Sequence, residues 1–145
     1  MSKKSQKEIL IVDDSKVCRA LLSKNFERLG YKVSIAYNGQ EALDLIDDRL
    51  PDYSFEVIIS DWEMPIMDGK TFIKVCRSSY PSYENTCIIL ISSQQVNDFK
   101  EANYFFLKPI APLQIQSQIE LFWQDEQIVQ LEYAEEVGLT GEDSI

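Results

Sequence analysis

The sequence predicts an α/β fold, a doubly wound parallel sheet of five strands with helices on both faces, and three observations carry that prediction. Short apolar runs of four or five residues alternate with stretches of helical periodicity, as suits strands buried on both faces of a parallel sheet. The runs stop abruptly at polar residues: ILIV at Asp13 and Asp14, VIIS at Asp61, IILI at Ser92 and Ser93, YFFL at Lys108. In such sheets the ligand crevice lies beyond the carboxyl ends of the strands, so acids, hydroxyls and an amine would gather on one rim. That combination suits a divalent cation and a phosphoryl group.

Taken in order, Glu8 to Val12 reads as the first strand, and Asp14 or Ser15 can cap the helix after it. Val17, Leu21, Leu22, Phe26 and Leu29 recur at helical spacing up to a stop at Gly30. Tyr31 to Ala36 is the second strand, with Val33 and Ile35 alternating as on a sheet edge. Asn38-Gly39 marks a turn, and Gln40 to Leu50 a helix that buries Ala42, Leu43 and Ile46 and breaks at Pro51. The third strand, Val57 to Ser60, runs into Asp61. Met64-Pro65 and Asp68-Gly69 signal turns before a helix over Lys70 to Ser79, which presents Phe72, Ile73, Val75 and Cys76 inward.

Thr86 to Ile91 is the fourth strand. Between Ser93 and Asn103 there is room for only a short helix anchored by Val96 and Phe99. After the strand Tyr104 to Leu107, Pro112 opens a last helix where its missing N–H costs nothing. Ile115, Ile119, Phe122, Val129 and Tyr133 continue it at helical spacing, with no breaker before Gly138.

At 145 residues the chain fits one domain. Its net charge of −10 is unevenly placed, since all 14 Lys and Arg lie at or before Lys108. With no basic cluster beyond Lys3, Lys4 and Lys7, the charge argues against nucleic acid or an anionic membrane and for a protein partner. Neither a membrane span nor a signal peptide is legible, which points to a cytoplasmic protein. Cys18, Cys76 and Cys87 are odd in number and sit in apolar-periodic segments, as buried thiols would. There is no histidine. A histidine base or ligand is therefore excluded, and oxygen ligands with a hard cation such as Mg²⁺ are left.

The motifs IVDDS, SDWEMPIMDG, LISS and FLKP, each weak alone, together resemble the receiver domain of two-component response regulators over about residues 7–125. Residues 126–145 would then be a helical extension and acidic tail: a partner-binding or dimerising helix, a linker stub, or simply a solvated run. The resemblance implies the flavodoxin-like strand order 2-1-3-4-5. It makes Asp61 the acceptor of a phosphoryl group from a histidine kinase or a histidine phosphotransfer protein. Mg²⁺ would be held by Asp14, Asp61 and the backbone carbonyl of Glu63, with Asp13 acting through water. Lys108 would supply a second positive charge beside Asp61, and Lys108-Pro109 would be a cis bond. Ser92 would donate its hydroxyl to the phosphoryl group and Phe105 turn inward with it, changing contacts with a downstream protein target.

Taken singly, Asp14 reads equally as a helix cap and Lys108 more often as a solvated charge; four strand ends converging on one rim favour the site. Fifteen residues separate Ser92 from Lys108, about six fewer than the family commonly has, or between one and two helical turns. The fourth helix is therefore expected to be shortened or irregular, which counts against the homodimer that many members form through that face. Two other readings stand beside the phosphorylatable receiver. One is a pseudo-receiver scaffold that works without phosphate. The other is a Mg²⁺-dependent aspartyl-phosphate phosphohydrolase, for which only Glu63 is available behind the nucleophile.

Overall fold

The computed structural model describes residues 6–49 and 53–136. Five parallel strands pair in the order β2-β1-β3-β4-β5: β1 Glu8–Val12, β2 Lys32–Ala36, β3 Val57–Asp61, β4 Cys87–Ser92 and β5 Tyr104–Leu107. The helices are α1 Lys16–Arg28, α2 Gly39–Asp47, α3 Gly69–Ser79 and α4 Pro112–Glu136, with a single 3-10 turn at Pro81–Tyr83. The chain divides into two compact units at Pro112/Leu113, the first holding the sheet and the second consisting of the rest of α4.

The order of the strands follows from the chain reversing direction once. From β1 it steps outward to the edge strand β2, then crosses back past β1 to β3 and continues to β4 and β5. Right-handed crossovers consequently place α1 on one face and α2 and α3 on the other. Ala42, Leu43 and Ile46 of α2 and Phe72, Ile73 and Cys76 of α3 form one buried cluster with Leu10, Val12, Ile58, Ile88 and Leu90. The alternate residues Ile9, Ile11, Val57, Ile59, Ile89 and Ile91 point the opposite way and are also buried. The switch point, where a sheet of this kind opens a crevice, lies between β1 and β3.

Helix starts are capped by short polar side chains. Ser15 Oγ accepts from Cys18 N, Asn38 Oδ1 from Glu41 N and Asp68 Oδ1 from Thr71 N. Asn38-Gly39 is thus the start of α2 rather than a turn before it. Along α1 only Leu22 and Phe26 are fully buried, whereas Val17, Leu21 and Leu29 are exposed. The sheet-facing stripe is narrower than the sequence suggested, because Val17 and Leu21 stand one residue, about 100°, around the helix from the Cys18, Leu22, Phe26 line. Gly30, at φ 90°, ends the helix as expected. Leu50, Pro51 and Gly138, and the side chains of Val129 and Tyr133, lie outside the described residues; along α4, Leu113, Leu121 and Leu131 are exposed.

The connection between β4 and β5 goes further than the expected shortening: Ser93 to Asn103 forms no helix. Val96 and Phe99 are its only large apolar residues, too few to offset the cost of nucleating a helix among Ser, Gln, Asn and Asp. Side chains hold it instead. Arg77 on α3 donates through Nε to Glu101 O (2.9 Å), through Nη1 to Tyr83 O (2.6 Å) and through Nη2 to Asn103 Oδ1 (2.9 Å). Asn103 Oδ1 also accepts the N–H of Ile88 at 2.7 Å. All three cysteines are free; Cys76 and Cys87 are buried, which pushes both thiols up to about 12, while Cys18 is only half-buried.

Candidate functional site

At the switch point the ends of β1 and β3 bring Asp13, Asp14 and Asp61 together, with a carboxylate oxygen of each within 4.8 Å of the others. Ser15 takes the capping role on α1, so Asp14 is left free of it and exposed beside the cleft. Asp13 is fully buried. Its N–H donates to Ala36 O (3.1 Å), its carbonyl accepts from Arg19 Nη1 (2.7 Å), and Oδ1 accepts from Ser15 N (2.8 Å). Its other oxygen, Oδ2, is buried without a hydrogen-bond partner and lies 3.4 Å from Lys108 Nζ.

Asp61 is the last residue of β3 and only 4 % exposed. Its backbone is pinned from two sides: Trp62 N donates to Ile91 O at 2.8 Å, and Gly69 N donates to Trp62 O at 2.9 Å. The start of α3 passes so close that a Cβ on Gly69 would sit 2.0 Å from Asp61 O. Lys108 Nζ is 3.3 Å from Asp61 Oδ2, so the amine bridges the two buried acids. Lys108 N donates to Ser92 O at 2.7 Å, and the Lys108-Pro109 bond is cis, as the resemblance implied.

Burial, with the neighbouring Asp13 carboxylate next and Asp14 adding a little, pushes Asp61 up to about 6 against the pull of Lys108. For Lys108, burial alone would lower the pKa, but the carboxylates of Asp13 and Asp61 outweigh it and hold the amine above its ordinary value. A carboxyl group whose folded pKa is raised costs the fold stability when ionised. That cost disappears as pH falls through about 6 toward the ordinary carboxylate range. Asp61→Asn, which removes the charge, is expected to stabilise the metal-free protein by about 2 kcal/mol at pH 7.5. The advantage over the natural sequence should vanish by about pH 4. Paired urea titrations at the two pH values read this difference, and an equal advantage at both would refute the electrostatic account.

The same donor set, three carboxylates with no histidine or thiol, suits a hard divalent cation, and the buried Asp13 Oδ2, ion-paired with Lys108 but without a hydrogen bond, is what such an ion or its water would satisfy. Glu63 is exposed at the cleft mouth with Met64, Pro65 and Ser93. Ser92 is buried and turned toward a neighbouring polar pocket that it shares with Trp62, Lys70, Gln94 and Asp98; its Oγ accepts from Gln94 N at 3.1 Å. Ser93, which drew no role from the sequence, lines the cleft beside Asp14, Asp61 and Lys108. The signal was present in LISS, since successive strand residues face opposite ways and two hydroxyls in a row cover both directions. Phe105 is half-buried against the α2/α3 cluster and stacked on Phe99, with ring centroids 5.3 Å apart.

Known proteins resemble this chain in sequence and in fold. The profile of the response regulator receiver domain matches residues 9–120. A chemotaxis protein CheY homolog of Campylobacter jejuni is 30% identical over 120 residues, covering 78% of this chain and 89% of that protein. A probable transcriptional regulator, ycf27, of Cyanidium caldarium is 32% identical over 122 residues, 81% of this chain; the chain spans about half (46%) of that relative. Among solved structures, the chemotaxis response regulator CheY4 of Vibrio cholerae superposes with a TM-score of 0.71 at 29% identity, covering 81% of this chain and 99% of that one.

Proposed function

This chain belongs to the response regulator receiver domain family, and from that premise we propose that Asp61 accepts a phosphoryl group from a phosphohistidine donor and switches protein contacts. Receiver domains are signalling domains that interact with histidine kinases and downstream targets. The observation that carries the proposal is the Lys108 amine placed 3.3 Å from Asp61 and 3.4 Å from Asp13, with Asp14 completing the acidic cluster. An amine held between two acids is a charge kept for an incoming anion.

In the reaction a carboxylate oxygen of Asp61 attacks phosphorus, a P–O bond forms, and the P–N bond to the donor imidazole breaks with its electron pair returning to the ring. Asp14, Asp61 and the Glu63 carbonyl would hold Mg²⁺, with Asp13 acting through water. The cation supplies neutralisation of the crowded carboxylates and of charge on the transferring group. Lys108 moves from pairing with carboxylates to pairing with the new phosphoryl oxygens. Ser92, and Ser93 from the cleft wall, are the hydroxyls within the strand end that can donate to them. Ser92 and Phe105 then carry the change to the surface.

Residues 7–125 make up the receiver in this reading, and the rest is an extension of the last helix with an acidic tail. The donor in this reading is a histidine kinase or phosphotransfer protein, which makes the setting the cytoplasm; among the described residues no helix is long and apolar enough to cross a membrane. Intact mass after incubation with Mg²⁺ and acetyl phosphate tests the proposal. A single phosphoryl adduct is expected, lost on chelation and in Asp61→Asn. No adduct, including with a phosphohistidine protein donor, would support the pseudo-receiver scaffold; release of phosphate from phosphate esters over many turnovers would support the phosphohydrolase.

A further inference from the structure

A cleft of about 370 Å³ opens where α2 and α3 end, at the amino ends of the strands and so on the opposite rim from Asp61. Ile46 and the buried ring of Tyr83 line it, together with the partly exposed rings of Tyr53 and Tyr80. Tyr80 and Tyr83 meet edge to face, with centroids 6.3 Å apart and planes at 81°. Asp47, the last residue of α2, stands exposed beside them, and the Tyr80 hydroxyl donates to its Oδ1.

The charge around this cleft is predominantly negative. Both helices present their carboxyl ends to it, and with them the negative ends of their dipoles. A base in the last turn ordinarily offsets that end, but α2 has none there and carries Asp44, Asp47 and Asp48 instead. Acids in that place oppose the dipole and weaken the helix. The base at the end of α3, Arg77, does not line the cleft and is engaged by Tyr83 O, Glu101 O and Asn103 Oδ1. Among the described residues Arg49 is the one cation on the wall. Its charge is already matched: Nη2 pairs with Glu8 at 2.9 Å, Nε donates to Tyr53 O at 2.8 Å, and the guanidinium lies 4.0 Å over the Phe55 ring.

We propose that this cleft binds a small organic cation of the substituted-ammonium class, held by the Asp47 carboxylate and the rings of Tyr53 and Tyr80. Ring faces attract a cation through their quadrupole, and the alkyl groups of a quaternary ammonium suit apolar walls such as Ile46. A bare metal ion is a poor match, since Asp47 is the only carboxylate on the wall among the described residues and hard cations need several oxygen ligands. An anion would meet the aspartates and two helix carboxyl ends with no unpaired base to receive it. A cation here also accounts for the acids kept where they oppose the α2 dipole. The inference is independent of the acceptor reading of Asp61.

The test is a titration of the isotopically labelled whole chain with choline chloride at constant ionic strength, read by amide NMR shifts. The uncharged choline isostere, with carbon in place of nitrogen, is the control ligand. Choline is expected to shift the amides of Ile46 to Arg49 and of Tyr80, Ser82 and Tyr83 along a saturable curve, and to bind about tenfold more tightly than the isostere. Asp47→Asn and Tyr80→Leu should each weaken choline about fivefold. Asp47→Asn should be at least as stable in urea as the natural sequence, because an acid leaves the carboxyl end of α2, so its loss of binding is not a loss of fold. Equal binding of choline and the isostere, unaltered choline binding in Asp47→Asn, or no shift at the cleft overturns the proposal. Saturable shifts there with inorganic phosphate but not choline would give the cleft to anions through Arg49, and overturn it as well.

Discussion

Gly69→Ala is expected to destabilise the fold by about 4 kcal/mol or more, and to abolish phosphoryl acceptance in whatever fraction remains folded. The added Cβ would lie 2.0 Å from Asp61 O, 2.9 Å from Asp61 C and 3.1 Å from Trp62 Cα, all of them backbone atoms that cannot rotate away. Relief requires one of two movements. If α3 retreats, the Gly69 N to Trp62 O bond of 2.9 Å is lost. If the end of β3 yields, the Asp61 carboxylate moves off Lys108. Gly30→Ala is the control: nothing lies within 4 Å of its new Cβ, and only its φ of 90° is strained, a cost of about 1 kcal/mol. Urea unfolding of both variants decides the matter, and equal losses would show that the close approach of α3 is not what the glycine serves.

Lys108→Gln is expected to slow adduct formation from acetyl phosphate about 100-fold, the usual scale for removing one preorganised charge partner from a phosphoryl or oxyanion site. The same change should destabilise the metal-free protein by about 2 kcal/mol at pH 7.5, because Asp13 and Asp61 are left buried with no cation between them. The pH dependence has a definite sign. Asp61 is already raised to about 6 with Lys108 present, and without the amine it rises further, so the loss should shrink as the pH is lowered and the carboxyl takes a proton. Added Mg²⁺ should recover most of the stability at pH 7.5 but not the rate. A variant that is as stable as the natural sequence without metal would mean that the two ion pairs hold nothing in place.

The strand pattern and the polar strand ends were legible because both are local. An apolar run of four or five residues with a breaker on each side has few ways to fold, and strand geometry carries its last residue to the rim. Asp13, Asp14, Asp61 and Lys108 were found that way, and the structure does bring them together. Directions around an element were less legible. Val17 and Leu21 fit the helical period of α1 yet face solvent, since a period does not say which of two adjacent stripes meets the sheet. Ser93 drew no role from the sequence for a similar reason, since Ser92 and Ser93 line different pockets and the motif does not say which faces the acids.

What the sequence determined by itself was the order of elements, the strands and most of their ends, and the chemical class of the site, because propensity, turn residues and short-range patterning act within a few residues. The tertiary structure alone decided which oxygen of Asp13 is left without a hydrogen bond, that Ser15 rather than Asp14 caps α1, and that Ser93 joins the cleft. It also decided that Arg77 and Asn103 replace a helix between β4 and β5. These depend on groups far apart in the chain competing for the same space and the same hydrogen bonds. Arg77 can hold Asn103 only after α3 and β5 have both been laid against β4.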